Sequence, residues 1–217
     1  TPLRDRWGGW YVTGSHGNQR HMGNSYATGS YSDPTLDSES GANVLSLDKF
    51  LNSAEYLNGH SDIVALMVLE HQMHVQNLIT KTAVSVRREE PLEESCEPLV
   101  EAVLCVGEPK FTAPIKGTSA FQQEYESGAV KDNAGRTLKA LDLKNRLFKY
   151  NMSPMVYSSS FAALPKAAKN QIGLRLSQIL NGKDKSPQFQ HLNAGDRKVI
   201  LEILTDTMPG LLPVKAQ

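Results

Sequence analysis

The stretch SDIVALMVLEHQMHVQNLITKTAVSVR, residues 61–87, decides the fold. Ser61 is a helix-capping residue type, and Asp62 puts a carboxylate in the first turn, where the helix dipole favours it. Ile63, Val64, Leu66, Met67, Leu69, Leu78 and Ile79 follow, with no proline before Pro91. The spacing predicts a helix from Ser61 to Arg87. At roughly 100° per residue, Ile63, Met67, His71, His74 and Leu78 share one stripe, flanked by Val64 and Val75, with Glu70 at its edge. The face expected to be buried therefore carries two imidazoles.

Further helices are predicted on both sides of this one. Leu45–Leu51 reads as a short helix, Glu97–Val106 as another stopped by Gly107, and Ala120–Ser127 as a third capped by Thr118 and Ser119. Leu138, Leu141, Leu143, Leu147 and Phe148 have roughly helical spacing. Leu164-Pro165 opens a helix through Leu180 that Asn181-Gly182 ends by a left-handed cap, and a last helix runs from Asn193 to Thr205. Residues 1–43 are instead rich in Gly, Ser, Asn and Thr, interleaved with Trp7, Trp10, Tyr11, Tyr26 and Tyr31. The expected fold is mainly α, with a helical domain over 44–217 and a long irregular, glycine- and aromatic-rich arm over 1–43 that packs on the core or on a partner.

Composition narrows the function. The 217 residues hold 23 Lys+Arg against 23 Asp+Glu, a net charge of zero, which argues against a nucleic-acid binder. No apolar run is long enough for a membrane span. The abrupt opening at Thr1 reads as a processed chain or the remainder of a longer one. Cys96 and Cys105 read either as one bridge across a short loop or as a buried free thiol and an exposed one. No Cys-x-x-Cys-His occurs, so this chain does not attach a c-type haem by two thioethers. Ser158-Ser159-Ser160 lacks the Gly-x-Ser-x-Gly elbow, and Walker and dinucleotide glycine patterns are absent.

Two groups of residues are candidates for chemistry. Histidines three apart on one helix face can reach one metal ion, so His71 and His74 are candidate ligands, with Glu70 as a carboxylate ligand or an orienting group. The same pair reads equally as core histidines hydrogen-bonded to backbone or carboxylate. The order Glu70-His71 and the three-residue spacing differ from the His-Glu-x-x-His helix of zinc proteases. The second group lies in Trp7-Gly8-Gly9-Trp10-Tyr11-Val12-Thr13-Gly14-Ser15-His16-Gly17 and Arg20-His21-Met22-Gly23-Asn24. His16 or His21 is a candidate ligand to haem iron or a metal, Met22 a candidate thioether ligand, and Arg20 a candidate partner for a carboxylate or a haem propionate. The alternative is a rigid aromatic loop with ordinary hydrogen bonds. His60 reads as structural and His191 as exposed.

These motifs, with Gly59-His60-Ser61-Asp62-Ile63-Val64-Ala65-Leu66-Met67, Pro114-Ile115-Lys116-Gly117-Thr118-Ser119, Leu180-Asn181-Gly182-Lys183-Asp184 and Asp196–Leu204, resemble poorly characterised bacterial proteins described as containing a cytochrome c domain. The resemblance runs through nearly the whole chain. It implies the C-terminal part of an exported protein, periplasmic or extracellular, whose haem-bearing region is its partner. The expected function is redox or electron transfer, with a haem not covalently held here or alternatively a transition-metal ion. Two other readings stand beside it. One is a non-catalytic structural or interaction subunit with His71 and His74 in the core; the other is a metal-dependent oxidoreductase sharing its pocket with that region.

Overall fold

The computed structural model describes residues 1–213; residues 214–217, the end of the expected helical domain, lie outside the described residues. The described chain is mainly helical with one small sheet. In order it forms β1 (Tyr26–Ser30), β2 (Asp33–Asp37), α1 (Ile63–Arg87), α2 (Leu92–Val103), α3 (Phe121–Glu126), α4 (Ser159–Ala162), α5 (Lys166–Leu180) and α6 (Ala194–Thr207). The chain divides into two compact units. The first comprises Thr1–Leu69, Glu108–Ser127 and Leu141–Leu147; the second comprises Glu70–Gly107, Gly128–Ala140 and the residues from Phe148 onward.

The first unit is built largely from irregular backbone. Its spine is Val12–His16, the centre of the segment expected as an arm. Thr13 donates its N–H to Ser61 O (2.7 Å) and accepts from Ile63 N–H (2.8 Å), while Ser15 and Lys116 exchange backbone bonds at 2.9 Å each way. Thr13 is fully buried and Val12 nearly so. Residues 1–43 therefore supply interior of this unit, together with 59–69 and 111–119, and the boundary expected at 43/44 falls inside it. The antiparallel hairpin β1–β2 pairs Tyr26 with Asp37 and Ser30 with Asp33, and almost all its residues are exposed.

The second unit holds a single large hydrophobic core. Leu99 and Val103 from α2, Ile172 and Leu176 from α5, and Ile200 and Ile203 from α6 all lie in it, with Phe161 and Phe189. Helix α2 packs on α5 and α5 on α6. Arg175 grips Glu97 through two nitrogens (2.8 and 2.7 Å) and also donates to Asp184 (2.8 Å). The Ser186 hydroxyl and N–H, then Arg175, hold the Asp184 carboxyl down to about 2. Arg197 of α6 donates to Ile179 O, a terminal carbonyl of α5, at 2.7 Å and to Leu192 O at 3.0 Å.

One close approach makes a test. A Cβ on Gly173 of α5 would lie 1.9 Å from Leu211 O. Gly173→Ala is therefore expected to destabilise by about 2 kcal/mol, the steric cost exceeding the gain of about 1 kcal/mol in helix propensity. Urea denaturation measures it, and an unchanged or raised midpoint overturns the reading.

Several expected helices differ from those found. Helix α2 begins at Leu92, directly after Pro91, and contains Pro98; Glu93 and Glu94 occupy its first turn, and it ends before Cys105, which has φ 57°. Leu138–Phe148 forms no helix. Leu143 has φ 58°, and its backbone bonds to Ile115 and Arg146. Leu45–Leu51 forms turns, with Leu47 N–H on Gly59 O. Helices α3, α5 and α6 lie within one or two residues of expectation.

Candidate functional site

The first unit ties Thr13, inside the aromatic and histidine motif, to the residues either side of Asp62. The Asp62 Oδ1 accepts from the N–H groups of Val64 (2.8 Å) and Ala65 (3.3 Å), capping α1. Its Oδ2 accepts from Thr118 N–H (2.9 Å), Ser119 N–H (2.8 Å) and Ser119 Oγ–H (2.6 Å). The cap is thus Asp62 and not Ser61, because a carboxylate has a second oxygen for the 117–119 turn. Ser61 N–H is held by Thr13 Oγ1 at 3.0 Å, and Thr13 Oγ1 lies 2.7 Å from Thr118 Oγ1. A Cβ on Gly117 would come within 2.4 Å of the Asp62 carboxylate, so the approach demands glycine.

His16 and His21 stack edge to face with centroids 4.7 Å apart, and Trp7 meets the other side of His21 at 5.3 Å. Both imidazoles are buried. His16 Nε2 accepts from Asn43 N–H at 3.0 Å, which leaves Nδ1 as the protonated nitrogen, donating to Gln19 O. Both ring nitrogens are therefore engaged in the neutral form. Burial lowers the His16 pKa, against the hydrogen bond to Gln19 and helped by Arg20. Burial, then His16, pushes His21 down to about 4, with the Gly23 peptide opposing. His21 Nδ1 and Trp7 Nε1 are buried without a hydrogen-bond partner. Trp7 (φ 65°), Asn24 (φ 59°) and Asn43 (φ 52°) all sit in the left-handed region.

The neighbours of this stack are equally committed. Asn24 accepts from Val12 N–H (2.8 Å) and donates to Val12 O (2.7 Å) and Gly41 O (3.0 Å), so its side chain serves Val12 as an adjacent strand would. Arg20 makes a two-pronged bond to Glu39, 2.8 Å each, and also donates to Gly17 O. Met22 is partly exposed and lies against Gly8. The expected haem donors were His16, His21 and Met22, with Arg20 for a propionate. His16 has no nitrogen left, Arg20 is held by Glu39, and His21 is 5% exposed between two rings. This arrangement does not fit a haem.

In the second unit His71 and His74 part company. His71 is 3% exposed, its Nε2 lies 2.7 Å from Ser153 Oγ, and its ring meets Phe148 edge to face at 4.8 Å. Ser153 Oγ also accepts from Met155 N–H (3.2 Å), so the pair pins the turn at Pro154–Tyr157. His74 is exposed and Glu70 half-buried. The buried positions from Glu70 on are His71, Val75, Ile79, Thr82 and Ser85, and His74 lies roughly 60° round the helix from His71. The expectation that both imidazoles share the buried face is corrected: the stripe passes through Val75. Among the described residues no group of three or more His, Cys, Asp or Glu is placed to hold a metal ion. His191, expected exposed, is half-buried with its nitrogens 3.0 Å from Gln188 O and 2.8 Å from Leu104 O.

His71→Ala is expected to cost about 2–3 kcal/mol by stripping Ser153 of its partner, whereas His74→Gln stays within about 0.5 kcal/mol. Parallel urea titrations decide this. Equal losses in both variants would restore the paired reading.

Cys96 and Cys105 form no disulfide and both are buried, so neither the expected bridge nor the expected exposed thiol is found; burial raises the Cys96 thiol to about 11, with Glu97 adding to the shift. No helix among the described residues is long and apolar enough to cross a membrane. No family model matches the chain, and no curated protein or solved structure matches it either.

Proposed function

We propose that the chain is a non-catalytic interaction module that docks through the aromatic surface of its first unit. One observation carries this reading. Of the fourteen exposed large hydrophobic side chains among the described residues, nine lie between Trp10 and Leu57. They include Trp10, Tyr11, Tyr26, Tyr31 and Tyr56, the residue types enriched where proteins meet. Two of them, Tyr11 and Tyr26, share a patch with Phe50, whose ring lies 5.9 Å from Tyr11 and 5.7 Å from Tyr26. Contiguous apolar surface of this kind marks binding faces on stable proteins. The histidines support the same reading, since His16 and His71 are spent on holding turns.

The test is a Tyr11→Ser, Tyr26→Ser double variant expressed in the native source. Wild-type chain is expected to elute from gel filtration in a species larger than itself, and the variant as the free chain with its melting temperature unchanged. Unaltered elution of the variant discards the docking face.

A second reading is electron transfer beside a haem that another region or subunit carries and ligates by itself, with the Tyr11, Phe50 and Tyr26 rings of this chain against it. A visible spectrum of the intact native protein tests it: without a Soret band the reading falls.

A further inference from the structure

The aromatic patch has a charge of its own. Residues 26–59 carry Asp33, Asp37, Glu39, Asp48 and Glu55 against a single Lys49, in a chain whose net charge is zero. Glu39 is held by Arg20, but the others remain at the surface. Asp37 lies directly across the hairpin from Tyr26, which places a carboxylate beside a ring of the patch. It accepts the N–H groups of Glu39 and Ser40, and Asp48 is held by Ser46 and Ser53. These bonds, from the Ser40 and Ser46 hydroxyls first, keep both carboxyls below their ordinary values. One ring of the patch already meets a cation of this chain. Lys49 Nζ sits 4.7 Å from the centroid of Phe50, the ring flanked by Tyr11 and Tyr26.

We propose that this surface receives an extended Arg- and Lys-bearing segment of another polypeptide, its cations laid on the Tyr11 and Tyr26 rings and paired with Asp33 and Asp37. The inference rests on the docking reading above and names its partner. A guanidinium satisfies both features at once, stacking on an aromatic face while donating to a carboxylate. An apolar helix would cover the rings but leave the carboxylates without counter-charge. A second copy meeting this face about a two-fold axis would set like charges against each other. A nucleic acid is repelled for the same reason.

The experiment uses the full isotope-labelled chain and three short synthetic peptides, one alternating Gly and Arg, one alternating Gly and Glu, and one alternating Gly and Leu. The Gly-Arg peptide is expected to shift the backbone amides of Tyr11, Tyr26, Asp33, Asp37 and Phe50, and to bind more weakly as salt rises. Tyr26→Ala and Asp33→Asn are each expected to weaken it about fivefold, the cation–π and ion-pair contributions removed singly. No shift at these amides overturns the proposal. So does binding that Tyr26→Ala leaves unchanged, which is plain charge attraction. Binding of the Gly-Leu peptide at the same amides overturns the basic partner while leaving the docking face standing. Sedimentation showing that the chain self-associates through these residues overturns it in favour of a second copy.

Discussion

Asp62→Ala, at a buried position, is expected to destabilise the protein by about 4 kcal/mol. Loss of a helix cap alone costs about 1 kcal/mol. Asp62 does more, because its second oxygen accepts three partly buried hydrogen bonds from Thr118 and Ser119, each contributing about 1 kcal/mol. Asn at this position keeps one acceptor but turns an amide N–H₂ toward donors, so Asp62→Asn is expected to recover less than half the loss. Ser119→Ala removes one bond and is expected to cost about 1 kcal/mol. Urea denaturation of the three variants measures the series. A loss under about 1.5 kcal/mol for Asp62→Ala would show that the turn finds other acceptors.

The second large effect is with pH. Burial holds His21 near 4 in the fold against 6.5 when free, and His16 moves in the same direction. The neutral rings belong to the folded state, so the unfolded chain takes up more protons between these values. Stability is then complete above about 6.5, falls as the pH drops, and has lost about 3 kcal/mol from His21 by pH 4. Between pH 7 and 5 the loss is about 2 kcal/mol, in a range where ordinary carboxylates stay ionised. The charges beside the pair do not soften it, since Arg20 disfavours both cations. His21→Leu removes one titration and is expected to flatten the profile by that amount. Denaturation midpoints that match at pH 7 and 5 in the wild type would refute this account.

The helices with a clean apolar rhythm and an end signal were legible in the sequence. Asn193 caps α6 through Asp196 N–H, and Gly182 with φ 71° ends α5, as their residue types announce. Leu138–Phe148 misled because its leucines are buried on an irregular path whose backbone closes turns on itself and lends two carbonyls, of Leu143 and Asn145, to Ile115 and Phe111. The hairpin β1–β2 was invisible for the opposite reason: it buries nothing, so no alternation of apolar residues marks it. Of the site, His16, His21 and His71 could be found as candidates, but their roles could not. Whether a histidine is a ligand or a brace depends on what its nitrogens meet, and Asn43 and Ser153 lie 27 and 82 residues away from their partners. Asp62 was read as a charge in a first turn, since its second oxygen serves a segment 56 residues on.

Asn24 links this fold to chemical ageing. Deamidation would replace its amide nitrogen, a donor to Val12 O and Gly41 O, by an oxygen, turning two attractions into repulsions beside the buried Val12. In the folded chain that reaction is slow to start, because the side chain is 4% exposed and bonded at both ends. The residue that keeps Val12 in register is thus preserved by the register it keeps. Each excursion to the unfolded state exposes it to a change from which this part of the chain cannot refold.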